Sequence, residues 1–437
     1  MMSRPNFIVF YCDDLGYGDL GCYGSDQIKT PNIDQLAENG VRFTDWYSNS
    51  PVCSPSRAAL LTGKYPMRTE VDQILSGQRG AAGLSHGHES LPSIAKQHGY
   101  RTAMYGKWHL GTTSETSPNA HGFDEFFGFH AGCVDYFSHI FYWEGVPVHD
   151  LWENEEEVWN NGEYMTELIT ERAVQFIQGQ GQDKGEDQPF FLYVPYNAPH
   201  YPMHAPAKYM ERFSHLPWDR QVMAAMISAV DDGVGEVINA LKRSGQYQDT
   251  MIFFSSDNGP STEVRNWLDG TPDKYYGGDA GIFKGHKGSL FEGGIREPAI
   301  FSYPAQIQGG QVVEEAGIMM DILPTFMEFA GIPVADRAID GKSMVDMLTR
   351  QSNPQSPHDQ LFWEYNDQLA MRQGDWKLVW NGKLDFDETA EDVIQLTNLR
   401  KDAGERHNAA DEYPELTEQM KTDLQTWYQE ITGSSKE

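Results

Sequence analysis

The sequence contains few cysteines, which argues against a disulfide framework. Its 437 residues include four cysteines, Cys12, Cys22, Cys53 and Cys133, and no two of them form a C-x-x-C pair. Chains that depend on disulfides are usually short and much richer in cysteine. The length and the hydrophobic content of 39% instead predict a large packed core, with room for two domains.

Long hydrophobic runs are also missing. No window approaches the roughly 18 apolar residues of a membrane-spanning helix, so we expect no membrane partner. The first 14 residues, MMSRPNFIVFYCDD, contain a short apolar run that predicts a strand and not a signal peptide. The expected location is therefore cytoplasmic for the chain as written, or periplasmic or secreted if a leader has been removed.

Basic residues are outnumbered two to one. The chain has 64 acidic and 33 basic residues and a formal net charge of −31. No basic patch of the kind that binds nucleic acid is present, so we expect no nucleic-acid partner. Because an acidic surface repels anions, an anionic substrate would require a locally positive pocket.

Short apolar segments alternate with amphipathic ones over most of the chain. The predicted strands are residues 6–12, 100–106, 190–196, 250–256 and 298–303. The predicted helices are residues 32–40, 91–99, 165–178 and 220–245. This alternation is typical of an α/β fold, in which a large, mostly parallel or mixed sheet lies between helices.

The pattern changes near residue 350. The segment RQSNPQSPHD, residues 350–359, is polar and proline-rich and predicts a linker. Three short segments typical of hairpin strands follow, then an acidic stretch over 384–392 and a helix over 414–431. We therefore predict two domains, residues 1–350 and a small α+β domain over residues 351–437 with an antiparallel sheet and a terminal helix.

Cys53 lies in an unusual setting, PVCSPSRAALLTGKYP. Ser54 suits a helix N-cap, Pro55 suits the first helical position, and Gly63 suits the C-terminal end. Cys53 would then lie at the positive end of a helix dipole, where thiolates and bound anions are favoured. The local pattern fits a reactive group and a small core residue about equally well.

Two predicted strands end in polar residues of the same kind. Asp13 and Asp14 follow the strand 6–12, and Asp257 and Asn258 follow the strand 250–256. Ligands of open α/β sheets bind beyond the carboxyl ends of strands. Either pair alone is explained by turn formation, but together they predict an all-oxygen site for a hard cation, Ca²⁺ or Mg²⁺.

Cationic and titratable side chains follow other predicted strands. Lys107 and His109 lie two residues apart on one side of a segment expected to be extended, and His200 follows the strand 190–196. Glycines flank Lys287 and permit a close approach to a ligand. Taken singly, each of these lysines and histidines is better explained as a surface or hydrogen-bonded polar residue than as part of a site. Together with Arg57 they would form a positive pocket for an oxyanion such as sulfate or phosphate.

These segments carry a resemblance to a known family. CSPSRAALLTGKYP and GYRTAMYGKWHLG resemble the two signatures of the type I, formylglycine-dependent sulfatases of the alkaline phosphatase superfamily. DDLGYGDLGCYG, HGFDEFFGF, SSDNGP, KGSLFEGGIREP and the C-terminal QLTNLRKDAGERHNAADEYPEL resemble further blocks of that family. The resemblance covers nearly the whole chain.

The resemblance implies an alkaline-phosphatase-like fold, with a catalytic sulfatase domain over residues 1–350. It implies that a formylglycine-generating enzyme oxidises Cys53 to Cα-formylglycine. The implied ligands of a Ca²⁺, or less often Mg²⁺, are Asp13, Asp14, Asp257, Asn258 and the modified Cys53. The implied catalytic set is Cys53, Arg57, Lys107, His109, His200 and Lys287. A further sulfate contact, Ser138 or His139, stays open.

The resemblance also implies a mechanism. The formylglycine hydrate attacks sulfur, with Asp257 as a candidate base and Arg57 bonded to the hydrate. Lys107 and Lys287 stabilise the charge that develops on the sulfuryl oxygens. His200 protonates the leaving alcohol, and His109 assists the release of sulfate.

The expected activity is that of an arylsulfatase-like sulfuric ester hydrolase. Aromatic and polar residues in the segments 113–122, 133–162 and 261–283 favour a small or oligomeric sulfated carbohydrate as the substrate, with aryl sulfates as further substrates. Two alternatives are a phosphodiester or phosphonate monoester hydrolase of the same superfamily and a non-catalytic binder of sulfated glycans.

Overall fold

The structure is a computed structural model that describes residues 4–179, 188–262, 277–334, 337–349 and 354–433. The strands are β1 (Asn6–Cys12), β2 (Val41–Phe43), β3 (Trp46–Tyr47), β4 (Arg101–Lys107), β5 (Glu125–Phe129), β6 (Ile140–Phe141), β7 (Val148–His149), β8 (Trp152–Glu153), β9 (Glu156–Glu157), β10 (Phe190–Pro195), β11 (Thr250–Ser256), β12 (Ala299–Ser302), β13 (Gln311–Val313), β14 (Gly317–Ile318), β15 (Gln360–Tyr365), β16 (Gln368–Gln373), β17 (Trp376–Trp380) and β18 (Ile394–Asn398). The helices are α1 (Pro31–Glu38), α2 (Cys53–Thr62), α3 (Leu91–Gln97), α4 (Met165–Gly179), α5 (Ala207–Met210), α6 (Trp218–Arg243), α7 (Glu292–Ile295), α8 (Ile322–Phe329), α9 (Val345–Thr349) and α10 (Pro414–Thr432).

A ten-stranded mixed sheet organises the larger part of the chain, in the order β13-β2-β12-β11-β1-β10-β4-β5-β8-β9. Its five central strands, β11, β1, β10, β4 and β5, are parallel. Their carboxyl ends therefore open on one edge of the sheet, which is where open α/β sheets bind ligands.

Both faces of this sheet are covered, which explains why its central strands are apolar throughout. On one face Ile8 and Phe10 of β1 belong to a core that includes residues of α1, α4 and α6. On the other face Phe7, Val9 and Tyr11 belong to a core that includes residues of α2, α3 and α8. The period of two along β1 thus sends alternate side chains into two separate cores.

The C-terminal part forms a four-stranded antiparallel sheet, β15-β16-β17-β18, with α10 packed against it. Met420, Leu424 and Trp427 are buried on one face of α10, as their helical spacing predicts. They belong to a third core that also includes Leu290 and Phe291, which directly precede α7. The small sheet is therefore packed onto the segment that contains Lys287.

Buried charges also join the two parts. Glu292 of α7 accepts hydrogen bonds from Lys377 on β17 at 2.7 Å, from Arg296 at 2.9 Å and from Tyr47 at 2.7 Å. All four side chains are buried. Buried ionic groups need partners to offset their desolvation, and this cluster connects β17 of the small sheet with α7 and Tyr47.

The predicted α/β class is confirmed, although several strands of the large sheet, among them the central strand β5, were not predicted, and two further details differ. The predicted strand 298–303 forms as β12, but it runs antiparallel to both of its neighbours, β11 and β2. Strand β18 was not predicted, because its polar residues alternate with only two large apolar ones, Ile394 and Leu396. The proposed domain boundary at residue 350 lies outside the described residues and stays a prediction.

In the described part of the chain, no helix has both the length and the apolar character needed to cross a bilayer.

Candidate active site

Neighbouring strand ends bring the predicted oxygen ligands together. In the parallel register of β1 and β11, Cys12 lies opposite Ser256. The residues that follow, Asp13 and Asp14 on one side and Asp257 and Asn258 on the other, are therefore adjacent. The Asn258 Nδ2 atom donates a 2.7 Å hydrogen bond to Asp14 Oδ1, and the Asp14 amide donates to Asp257 Oδ1 at 3.3 Å. All four side chains are buried.

Helix α2 positions Cys53 differently from the sequence prediction. The helix begins at Cys53 itself, and Val52, not Ser54, is the N-cap. The Ser54 Oγ atom accepts instead from the Leu75 amide at 3.1 Å, which ties the neighbouring segment 74–77 to the helix. Gly63 ends the helix in the left-handed conformation, as predicted.

The Cys53 side chain is buried and is 2% exposed. Burial raises the pKa of its thiol to about 12, although Lys107 and Lys287 act in the opposite direction. An unmodified thiol at this position is therefore protonated at neutral pH, and a protonated thiol is a poor nucleophile.

Two lysines neutralise the carboxylates next to Cys53. The Lys107 ammonium lies 2.6 Å from Asp13 Oδ2, and the Lys287 ammonium lies 2.9 Å from Asp14 Oδ1 and 3.0 Å from Oδ2. Burial opposes ionisation of Asp13, but Lys107, His200 and Arg57 outweigh it and hold the pKa of Asp13 well below its usual range. Carboxylates and ammonium groups are therefore paired with each other next to Cys53.

Arg57, on the first turns of α2, is held by a different carboxylate. Its Nε and Nη2 atoms donate to Asp257 Oδ2 at 3.0 and 2.7 Å, and its Nη1 atom donates to the Lys107 carbonyl at 3.2 Å. Burial and the charge of Asp13 raise the pKa of Asp257, and Arg57 opposes this shift. In this geometry Arg57 fixes Asp257, and its predicted bond to the modified Cys53 stays a prediction.

The site has donor atoms for a cation. Ligand atoms of Asp13, Asp14, Cys53 and His200 all lie within 4.8 Å of one another, whereas Asp257, a predicted ligand, is not in this group, and its two oxygens accept hydrogen bonds from Arg57 and from the Asp14 amide. Asp13 Oδ1 and Asn258 Oδ1 are buried, and within the described residues neither has a hydrogen-bond partner. Buried oxygens without partners are costly unless an ion or water satisfies them. Carboxylate and amide oxygens suit Ca²⁺ or Mg²⁺ better than zinc.

The two histidines of the predicted set differ in their surroundings. His109 does not continue the extended segment with Lys107, because its φ is +55°. Its Nε2 atom lies 3.0 Å from the Leu75 carbonyl, and burial together with Lys107 lowers its pKa well below the usual value. The His200 Nδ1 atom lies 2.6 Å from the Tyr201 carbonyl, so Nδ1 carries a proton and donates it to that carbonyl. The Nε2 atom lies 3.6 Å from Asp14 Oδ2, and it is the ring nitrogen that can gain or lose a proton.

A cavity of about 390 Å³ opens above this cluster. Its base contains four residues of the predicted set, namely Cys53, His109, His200 and Lys287. Its walls contain apolar, aromatic and acidic residues, namely Ile74, Leu75, Gly77, Gly132, Cys133, Phe141, Trp143, Glu144, Thr262, Asp385, Phe386 and Asp387. The volume is in the range of small-molecule sites.

Some wall residues were not predicted. Asp385, Phe386 and Asp387 reach the cavity from the C-terminal part, and the signal available for them was the acidic stretch over 384–392. Of the predicted loops, 133–162 lines the cavity and 261–283 contributes Thr262, its residues 263–276 lying outside the described residues.

Other predicted contributors lie elsewhere. No residue of the loop 113–122 is among the described residues that line the cavity. The same holds for both candidates for the additional sulfate contact. Ser138 lies in a turn over Asp135, and the His139 Nε2 atom contacts the Glu163 carbonyl at 3.2 Å.

Two family models match the chain. The model described as "Sulfatase" matches residues 5–332, which is more than half of the chain. The model described as "N-sulphoglucosamine sulphohydrolase, C-terminal" matches residues 278–430. Together they span every residue of the candidate site.

Curated relatives match over most of their length. The N-acetylgalactosamine-6-sulfatase of Mus musculus is 34% identical over 404 residues, which cover 88% of this chain and 74% of the relative. The arylsulfatase A of Homo sapiens is 32% identical over 460 residues, which cover 95% of this chain and 86% of the relative.

Solved structures share the fold. The structure of Ps i-CgsB in complex with k-i-k-neocarrahexaose has a TM-score of 0.85 and 32% identity, and the match covers 97% of this chain and 93% of that one. The phosphonate monoester hydrolase of Agrobacterium radiobacter has a TM-score of 0.67 at 20% identity over 98% of this chain and 96% of its own, a likeness of fold alone.

Proposed function

The chain belongs to the sulfatase family and is a sulfatase, and from this premise we propose that it removes sulfate by hydrolysis from a sulfated carbohydrate. The predicted membership of the formylglycine-dependent group, with its alkaline-phosphatase-like fold, is confirmed. The observation that carries the proposal is one cavity whose base holds Cys53, His109, His200 and Lys287. In a protein of net charge −31, this base is suited to an anionic group.

The carbohydrate part of the proposal has separate support. The cavity walls contain Phe141, Trp143 and Phe386, whose rings suit the apolar faces of sugars, and carboxylates that suit sugar hydroxyls. The relatives agree with this, since one of them is an N-acetylgalactosamine-6-sulfatase and one solved structure is a complex with a neocarrahexaose. We therefore expect a sulfated mono- or oligosaccharide, with aryl sulfates as additional substrates.

We propose that Asp13, Asp14, Asp257 and Asn258 hold a Ca²⁺ together with residue 53. The ion would supply charge stabilisation and lower the pKa of a bound hydroxyl. The buried oxygens of Asp13 and Asn258 that have no hydrogen-bond partner among the described residues support this assignment. Arg57 would then act on the ion site indirectly, because its two hydrogen bonds fix the orientation of Asp257.

We also propose that Cys53 acts after conversion to formylglycine by a formylglycine-generating enzyme. The hydrate of that aldehyde supplies a hydroxyl nucleophile and a second hydroxyl on the same carbon. The burial of Cys53 and the raised pKa of its thiol disfavour the alternative of a thiolate nucleophile.

The remaining side chains bind the sulfate and move protons. Lys107 and Lys287 place two ammonium groups beside residue 53, where charge develops on the sulfuryl oxygens. The His200 Nε2 atom is available to protonate the leaving alcohol, since Nδ1 is engaged by the Tyr201 carbonyl. Burial and Lys107 lower the pKa of His109 and favour the neutral ring, and because Nε2 faces the Leu75 carbonyl, Nδ1 has the lone pair that would accept a proton in the release of sulfate.

Hydrolysis of a phosphodiester or phosphonate monoester is the alternative, because a phosphonate monoester hydrolase shares the fold. The test compares kcat/KM for 4-nitrophenyl sulfate, monosulfated sugars and a 4-nitrophenyl phosphodiester, using protein co-expressed with the modifying enzyme. We expect the sulfate esters to be preferred, and Cys53→Ala to abolish turnover. A clear preference for the phosphodiester would reject the proposed function.

A further inference from the structure

The outer wall of the cavity is acidic, in contrast to its base. Glu144, Asp385 and Asp387 line it, whereas the cationic and titratable lining residues, Lys287, His109 and His200, belong to the base. Among the described residues, no lysine or arginine other than Lys287 lines the cavity. A bound sugar therefore has its reacting sulfate near cations and the rest of its ring near carboxylates.

One part of this acidic wall comes from the C-terminal loop and is held rigidly against the Lys287 segment. The Leu384 carbonyl accepts from the His286 amide at 2.9 Å, and the Lys383 carbonyl accepts from Ser289 Oγ at 2.5 Å. Phe386 packs on Gly288, where an added Cβ would lie 3.0 Å from the ring. The loop therefore has a fixed position relative to the Lys287 ammonium.

Within this loop the two aspartates have different roles. Asp385 is buried, and its Oδ1 atom accepts from the amides of residues 387 and 388, at 2.8 Å each, so it maintains the turn. Asp387 is exposed at the mouth of the cavity. Asp387 is thus the loop carboxylate that is available to a substrate.

The second part of the wall is Glu144, on a separate segment. Its Oε2 atom accepts from Ser76 Oγ at 2.5 Å, and its carbonyl accepts from the Gln78 side chain. Glu144 is therefore tied to the segment 74–77 that also lines the cavity. Carboxylates from two parts of the chain, far apart in sequence, face the same space.

We propose that Asp387 and Glu144 select a sugar ring whose only anionic group is the sulfate to be removed. This inference rests on the proposed function and specifies its substrate class. Hydroxyl groups donate hydrogen bonds to these carboxylates, whereas a second sulfate or a carboxylate on the same ring is repelled and finds no described cation in the wall.

The test uses matched sugars and matched variants. The sugars are the monosulfated and disulfated forms of galactose and of N-acetylgalactosamine, and the variants are Asp387→Asn, Glu144→Gln and the double variant. Glu391→Gln is the control, since Glu391 is exposed close to the loop and does not line the cavity. Measurements are made of kcat/KM for each sugar and of each sugar's inhibition of 4-nitrophenyl sulfate hydrolysis.

We expect the wild-type enzyme to prefer the monosulfated ring at least about ten-fold. Each substitution should reduce that preference by roughly three-fold. This is the effect expected from removing the repulsion between one wall carboxylate and a second sulfate, taken as unit charges about 7 Å apart in water. The double variant should narrow it by roughly ten-fold, Glu391→Gln should not change it, and raised salt should weaken it in the wild type.

Equal use of monosulfated and disulfated rings by the wild type would overturn the inference, and so would an unchanged preference in the double variant. Failure of the proposed function looks different, because then either the 4-nitrophenyl phosphodiester is the preferred substrate or no sugar loses sulfate while 4-nitrophenyl sulfate does. In that case the inhibition constants decide the inference, and equal inhibition by both classes of sugar overturns it.

Discussion

Gln368, on the first residue of β16, joins the C-terminal sheet to the Lys287 segment. Its Oε1 atom accepts from the Leu290 amide at 3.2 Å and from the Lys383 amide at 3.0 Å, and its Nε2 atom donates to the Gly288 carbonyl at 2.7 Å. The side chain is 1% exposed. One amide thus holds both the segment next to Lys287 and the start of the loop that forms the cavity wall.

Replacing Gln368 by Met keeps the volume close to the original and removes all three hydrogen bonds. The Gly288 carbonyl and the Leu290 amide are then left buried without a partner. A buried polar group that loses its partner costs about 1–3 kcal/mol, so we expect a loss of about 3 kcal/mol in the free energy of unfolding. We also expect kcat/KM to fall roughly ten-fold or more, because a shift of about 1 Å in a site can cost a hundred-fold.

The measurements are urea denaturation and sulfate release from 4-nitrophenyl sulfate. Gln373→Met at the other end of β16 is the control, since Gln373 is partly exposed and its replacement should change the free energy by less than about 0.5 kcal/mol. This account of how Lys287 is positioned would be refuted if Gln368→Met lost no more free energy of unfolding than the control and had normal turnover.

Two further predictions concern buried charges. Burial opposes ionisation of Glu292, but Lys377, Arg296 and Arg372 lower its pKa to about 2. The contribution of the ionised Glu292 to the free energy of unfolding is therefore complete above its unfolded pKa of about 4.3, and it is lost as the pH falls toward about 2. Glu292→Gln should therefore cost about 3 kcal/mol at pH 7, and chemical denaturation should show the gap to wild type narrowing between pH 5 and pH 3, whereas a constant gap would contradict the assigned charge. Lys107→Met removes the cation 2.6 Å from Asp13 and should destabilise the protein by about 3 kcal/mol in EGTA. Saturating Ca²⁺ should recover most of this loss, as ligand at 100 times its Kd contributes about 2.7 kcal/mol, and thermal melts without any Ca²⁺ effect would argue against the ion site.

The sequence allowed the base of the site to be predicted because its residues follow a topological rule. Asp13, Asp14, Asp257 and Lys107 each lie at or directly after the carboxyl end of a central parallel strand, so their proximity follows from the sheet alone. His200 lies further along, beyond a short segment that follows the end of β10 at Pro195. These positions needed no knowledge of side-chain packing.

The wall of the cavity did not follow from any such rule. Asp387 lies more than 330 residues after Cys53 in the chain, and its position depends on how the small sheet packs on the Lys287 segment. The conformation of His109 and the start of α2 at Cys53 were also beyond local patterns, and both His109 and Ser54 form hydrogen bonds with Leu75, a contact that the local sequence does not indicate. Tertiary contacts of this kind override local propensity.

The central claim is that residue 53 acts as formylglycine, and the mass of the peptide that contains Cys53 tests it most directly. The protein is purified from a host that contains the modifying enzyme and is shown to release sulfate before digestion. Our account predicts a peptide lighter than the unmodified cysteine form. The fraction of this lighter peptide should rise in proportion to the specific activity of the preparation. An active preparation in which residue 53 is found only as cysteine would contradict it.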